Sequence, residues 1–170
     1  MKTGIPLILV LCIWPLQSQD LVIPAFLEKW ENSKSYLVAI AEAMPPGQYD
    51  FRPTERQMDF QDQLLHIKNN MVWLGTTYFN AQEYKGKRDV KSKLTKEETI
   101  QLLVEGFDLV STALKNTPTT VLNEKVAFFA GDKIKLQILN LLQDHVTHHR
   151  GQLIVYLNLN NLEPPKYVGW

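Results

Sequence analysis

The chain holds four histidines, His66, His145, His148 and His149. Residues four apart on a helix stand one above the other, so His145 and His149 can aim their rings at one point. His148 is one residue out of phase with His149, roughly 100° around a helix, and falls outside that direction. His145 sits where the apolar series Ile134, Ile138, Leu141 would place its next member. The pair is therefore turned toward the interior of a helical domain or its edge. His66 lies on an earlier apolar-periodic segment, beside Ile67. If the two segments are neighbours at that level, three imidazoles converge. Three histidine ligands with an open position are the form of a catalytic transition-metal site. Neutral imidazole suits zinc, nickel, copper or iron(II). A divalent cation there lowers the pKa of a bound water toward neutrality. The plainer reading is two polar side chains on a helix, since an isolated H-x3-H is common. The inward register and the third histidine weigh against it.

Other residues near these positions admit two readings each. Asp62, one turn before His66, is either an outer carboxylate orienting the ring or a first-turn charge facing the helix dipole, the commoner case. Asn70 either lines the pocket or sits on a solvated surface. Trp73 is a pocket wall or, more often for such a residue, a core aromatic. Arg150 holds an anionic group in bidentate fashion or ties a helix end or carboxylate. Gly151, costing ~1 kcal/mol relative to Ala within a helix, points to close helix approach beside the histidines. No catalytic residue is identified: Asp144 and Glu163 are candidate general bases by sequence proximity only. The serines Ser33, Ser35, Ser92 and Ser111 stand in no nucleophile-elbow context.

Four helices are needed to position these groups. The first, from about Pro24 to Met44, carries Leu27, Trp30, Leu37, Ile40, Ala41 and Met44 at spacings of three and four, and Pro45-Pro46-Gly47 ends it. The second runs from about Asp59, a candidate N-cap, to Asn80, with the stripe Phe60, Leu64, Ile67, Met71, Leu74 and Tyr78. The third opens on the capping box Thr95-Lys96-Glu97-Glu98, carries Ile100, Leu103, Phe107, Val110 and Leu114, and stops at Asn116-Thr117-Pro118. The fourth opens near Asp132 and runs to about Leu159, with Asn160-Asn161 closing it. Val121 to Phe129 is the one stretch able to pair as a short strand, and it reads as loop. The segment Ala81 to Leu94 can reach ~46 Å, more than the ~30 Å of a 20-residue helix. It can return along the bundle, so helices two and three need not be antiparallel neighbours. The fold class is all-α, a four-helix bundle.

Composition bounds the function. The chain has 170 residues, 45% hydrophobic, 21% charged and 10% aromatic, which suits one globular domain and excludes a disordered chain. Eighteen Lys and Arg balance eighteen Asp and Glu. No basic surplus exists to neutralise a phosphate backbone, so no nucleic-acid partner is expected. The single cysteine, Cys12, excludes a disulfide framework and any Cys-rich metal site. Residues 1–19 read as a signal peptide: Met1-Lys2, the apolar run Ile5 to Leu16, then polar Gln17-Ser18-Gln19. The run is too short to span a bilayer, and Cys12 lacks the small residues that precede a lipidated cysteine, so no stable membrane anchor is expected. Residues 20–170 then form a single cysteine-free domain, exported to the periplasm or the outside, where a free thiol is a liability.

The segment His145-Val146-Thr147-His148-His149-Arg150-Gly151-Gln152-Leu153 resembles the H-x3-H-R-G-Q signature of the DinB/YfiT-like superfamily. Leu65-His66-Ile67, with Asn70 and Trp73, resembles its second helix. Tyr49-Asp50-Phe51-Arg52-Pro53-Thr54 and Leu162-Glu163-Pro164-Pro165 resemble its flanking loop and tail. The resemblance implies a four-helix bundle with a long crossover between helices 2 and 3. It implies a divalent transition metal on His66, His145 and His149: zinc or nickel first, iron or manganese next. It also implies a small-molecule substrate and a homodimer. Some members of that superfamily are thiol-dependent transferases that use cytosolic thiols, some are hydrolases or isomerases, and many have no known activity. Export would remove the chain from the thiol pool, which ranks hydrolysis by a metal-activated water above S-transfer. A non-catalytic metal- or ligand-binding bundle is the further alternative.

Overall fold

The computed structural model describes residues 21–79 and 94–170. Four helices make the frame: α1 (Val22–Ala43), α2 (Phe60–Tyr78), α3 (Lys96–Lys115) and α4 (Lys135–Leu159). Their ends follow from local chemistry. Met44 turns extended, as the residue before a proline must, and stops α1. The Asp59 carboxylate accepts the Asp62 N–H at 2.8 Å and caps α2. Thr95 and Glu98 form the expected reciprocal capping box on α3. Asn161, at φ 57°, takes the left-handed position past the end of α4.

The expected stripes are the buried faces. In α2, Phe60, Leu64, Ile67, Met71, Leu74 and Tyr78 are all buried. They meet Trp30, Leu37, Ile40, Ala41 and Met44 of α1, and Leu103, Phe107, Val110 and Leu114 of α3, in one hydrophobic core. In α4 the phase differs by one residue from the expected one. Ile138, Leu142, Val146, Leu153 and Leu157 are buried, while Leu141 and His145 are only half-buried at the edge of that face.

α1 and α2 each pack on α3 and α4, so α1 lies diagonal to α2, and α3 to α4. The Gln61 amide reaches Thr99 Oγ1 and Leu94 O, pairing the start of α2 with the start of α3. Further along, a Cβ at Gly106 would lie 3.1 Å from Lys68 Cγ. α2 and α3 are therefore parallel neighbours. Residues 80–93, which contain most of the expected crossover, lie outside the described residues; the chain ends they join sit at opposite ends of the bundle. Hydrogen bonds from Trp30 to Phe107 and from Lys96 to Glu42 and Met44 make α1 antiparallel to α3. The histidine contacts described below make α2 antiparallel to α4. The bundle is up-down-down-up, the all-α four-helix fold expected. Residues 1–19, read as a signal peptide, also lie outside the described residues.

Two local expectations are corrected. Lys125–Val126 (β1) and Lys133–Ile134 (β2) pair antiparallel, in the register Lys125↔Ile134 and Val126↔Lys133. Gly131, at φ 85°, lets the chain turn between them. Part of the expected 121–129 loop is thus a strand, and α4 opens at Lys135 rather than near Asp132, because residues 133–134 are held extended by the ladder. Among the described residues no helix is long and apolar enough to cross a membrane.

Candidate metal centre

α2 and α4 bring three imidazoles together. One potential ligand atom from each of His66, His145 and His149 lies within 4.8 Å of the others. The Nε2 atoms of His66 and His145 are 3.1 Å apart. Ring centroids are 4.8 Å apart for His66–His145, 4.6 Å for His66–His149 and 4.5 Å for His145–His149. Nitrogens bound at about 2.1 Å to one cation stand about 3.0 Å apart at a right angle and about 3.4 Å at the tetrahedral angle. The His66–His145 separation falls inside that window.

The electrostatics favour ligands over charges. Burial, then the nearby His149, His66 and His148, lowers His145 to about 3. Burial, then His66 and His148, lowers His149 to about 4. Burial also lowers His66. At neutral pH the rings are uncharged and keep the lone pairs a cation needs. The donor set and its spacing fit a divalent transition metal.

His149 is only 8% exposed. Its Nδ1 lies 2.6 Å from Oε1 of Gln63, a buried residue one turn before His66 on α2. Gln63 Nε2 donates to Gln152 Oε1 at 2.6 Å and to the Tyr156 hydroxyl at 3.3 Å. Tyr156 in turn donates to Met58 O at 2.8 Å. Gln152 Nε2 also reaches His148 Nε2 at 2.8 Å. Gln63 and Tyr156 were not among the residues expected from the sequence, and Gln152, which stands in the H-x3-H-R-G-Q segment, was given no role there. The available signal was a glutamine inside an apolar stripe, three residues from a candidate ligand.

The remaining candidates scatter. Asp62 sits in the first turn of α2 with its N–H on the Asp59 cap. Asn70 is half-buried rather than solvated, and its buried Oδ1 has no partner among the described residues. Trp73 is not a core residue: it is 41% exposed and stacks on Phe128 at 6.0 Å, with Phe129 at 6.3 Å and Tyr78 at 6.4 Å. Arg150 turns toward α1, buried, with its guanidinium 5.0 Å from the Tyr36 ring. Burial lowers its pKa against the raising effect of Tyr36 and Tyr167. Gly151 does not mark close helix approach: a Cβ there meets nothing within 4 Å, and the helical glycine that lies close to a neighbouring helix is Gly106 on the α2–α3 seam. Asp144 and Glu163 are exposed.

The DinB family model matches residues 17–167. A DinB-like protein of Bacillus cereus is similar in structure, with a TM-score of 0.74 and 16% identity over 86% of this chain and 97% of its own. The DinB-like protein YjoA of Bacillus subtilis has a TM-score of 0.71 and 16% identity over 86% of this chain and 99% of its own. No curated protein matches the chain.

Proposed function

The chain belongs to the DinB family, and we propose that it is an exported metal-dependent hydrolase. His66, His145 and His149 would hold one divalent transition metal, zinc or nickel before iron or manganese. The observation that carries the metal site is the convergence of three uncharged imidazoles from two antiparallel helices. When bound, the metal supplies a Lewis acid and acidifies a coordinated water. The chain's own residues do the rest. His149 closes the inner side of the site, while the half-buried His66 and His145 leave its outer side open to a small molecule. Asn70, one turn along from His66, carries a buried Oδ1 with no partner among the described residues, an acceptor beside the site that is left for a donor to satisfy. Trp73, about 10 Å along the same face of α2, begins an aromatic wall with Phe128 and Phe129 that suits an apolar substrate group. Export is supported by the apolar run Ile5 to Leu16, which precedes the family match, and by the absence of cysteine after Cys12. Outside the cytosol a small reduced thiol is scarce, which ranks hydrolysis above thiol transfer.

Untagged protein purified from a native host is expected to carry about one metal per chain by elemental analysis. It should hydrolyse a member of an ester, amide and phosphoester panel, with activity lost on chelation and restored by metal. Absence of bound or bindable metal overturns the metal site. Metal binding without turnover across the panel overturns the hydrolase and leaves a binding protein.

A further inference from the structure

We propose that Gln63 is the positioning residue of the histidine cluster, fixing both the tautomer and the ring orientation of His149. The inference rests on the metal-site reading but is argued from hydrogen-bond directions alone. Met58 O is a backbone carbonyl and can only accept. The single Tyr156 hydroxyl proton goes to it, at 2.8 Å. Toward Gln63 the Tyr156 oxygen can then only accept, so Gln63 must present its NH2 there. The same NH2 donates to Gln152 Oε1. That orientation leaves the Gln63 carbonyl facing His149 Nδ1 at 2.6 Å. A carbonyl cannot donate, so Nδ1 carries the ring proton and Nε2 keeps the lone pair that a cation in the cluster would need.

The direction of every bond therefore traces back to a main-chain atom that cannot flip. Met58 lies in the segment leading into α2, and Tyr156 lies on α4. The network thus ties together the two elements that carry the ligands. Gln63 is 2% exposed, so water does not replace it readily. A neutral amide does here what a carboxylate commonly does behind a metal-bound histidine. It orients the ring without adding a negative charge to the site.

The test reads metal affinity and ring protonation, both independent of turnover. Zinc binding to the full chain is measured by competition with a chelating dye. Gln63→Ala is expected to weaken it by about 10–100-fold, in the range for outer partners of metal ligands. Gln63→Glu, which keeps an acceptor for Nδ1–H, is expected to recover most of the loss. Tyr156→Phe frees the Gln63 amide to turn and is expected to cost about fivefold, the worth of one hydrogen bond. Long-range 1H–15N spectra of the metal-free wild type should show His149 protonated at Nδ1, and Gln63→Ala should shift it to a mixture. A wild-type His149 protonated at Nε2 overturns the proposal, whatever the variants do. Equal zinc affinity of Gln63→Ala and wild type, with both folded by circular dichroism, also overturns it. A wild type that binds no zinc but shows the Nδ1–H tautomer overturns the metal reading and leaves the positioning role standing.

Discussion

The α1–α3 and α2–α4 seams are built on the same bundle frame and filled with opposite chemistry. Between α1 and α3, Trp30 is fully buried, 5.3 Å from Phe26 and 4.7 Å from Phe107, with its Nε1–H on Phe107 O at 3.1 Å. Leu37, Ile40, Leu103 and Val110 complete a dry contact, and charges such as Lys34–Asp108 stay at its rim. Between α2 and α4 the corresponding space holds Gln63, His66, His145, His149, Gln152 and Tyr156. Buried polar groups cost free energy unless they are hydrogen-bonded, and nearly all of these are bonded to one another. His145 Nδ1 is the exception, buried without a partner among the described residues. One seam stabilises the fold, and the other is a polar array that the first must hold in place. The division predicts that damage to one seam is read in stability and damage to the other in ligand binding.

The largest expected effect breaks the dry seam. Trp30→Ala removes a fully buried indole and its stacking partners' contacts, a change that costs about 3–5 kcal/mol. Denaturant unfolding measures it. The fraction that remains folded should bind zinc with wild-type affinity, because the ring and hydrogen-bond partners of Trp30, Phe26 and Phe107, belong to the dry seam and not to the histidine cluster. Parallel loss of affinity in the folded fraction would mean the seams are coupled.

His145→Ala should do the reverse. It removes one of three ligands, so zinc affinity should fall by more than the ~10–100-fold expected of an outer partner. Stability of the metal-free protein should stay near wild type or rise, since a desolvated imidazole has gone. Calorimetric titration and thermal melting of the same samples separate the two readings.

Acid should act through the polar seam. His145 and His149 have folded-state pKa values of about 3 and about 4, below the ordinary histidine value near 6.5. Between those values the unfolded chain binds more protons than the folded one, so stability rises with pH. The metal-free protein should thus lose stability as pH falls from about 6.5 toward 4. His145→Ala should flatten that slope, and Trp30→Ala should leave it unchanged.

Much of this division is legible in the sequence. The stripes of α1, α2 and α3 follow from period 3.6, because a helix that buries one face must repeat apolar residues at that spacing. The pairing of His145 and His149 follows from their four-residue spacing, whereas their meeting with His66 depends on α2 and α4 being neighbours, which the family resemblance implies and spacing alone does not. The polar network is harder to see. Gln63 resembles any helical glutamine until the partner helix supplies His149 and Tyr156, and that pairing is a tertiary fact. Arg150 sits beside His149 in sequence, yet a ~100° step turns it to the α1 side and the Tyr36 ring. Trp73 reads as a core aromatic because its exposed neighbours, Phe128 and Phe129, are distant in sequence. The β1–β2 ladder is two residues per strand, too short to impose a periodicity.

The smallest expected effect concerns the two glycines that the seams treat differently. Gly106 faces α2, where a Cβ would lie 3.1 Å from Lys68 Cγ and 3.4 Å from Met71 Cε, so Gly106→Ala trades helix propensity against displaced side chains. Gly151 lies on the outer side of α4, two residues after a metal-ligand candidate, and a Cβ there meets nothing within 4 Å. Its backbone is helical, so no conformation demands glycine. Gly151→Ala should then stabilise the protein by about 0.5–1 kcal/mol through reduced unfolded-state entropy alone. Zinc affinity should be unchanged, because the His149 ring is held from α2 by Gln63 rather than by the flexibility of the next turn. A stabilised variant with weakened zinc binding would instead show that the polar seam needs a yielding α4, and would erase the distinction between a rigid frame and the array it carries.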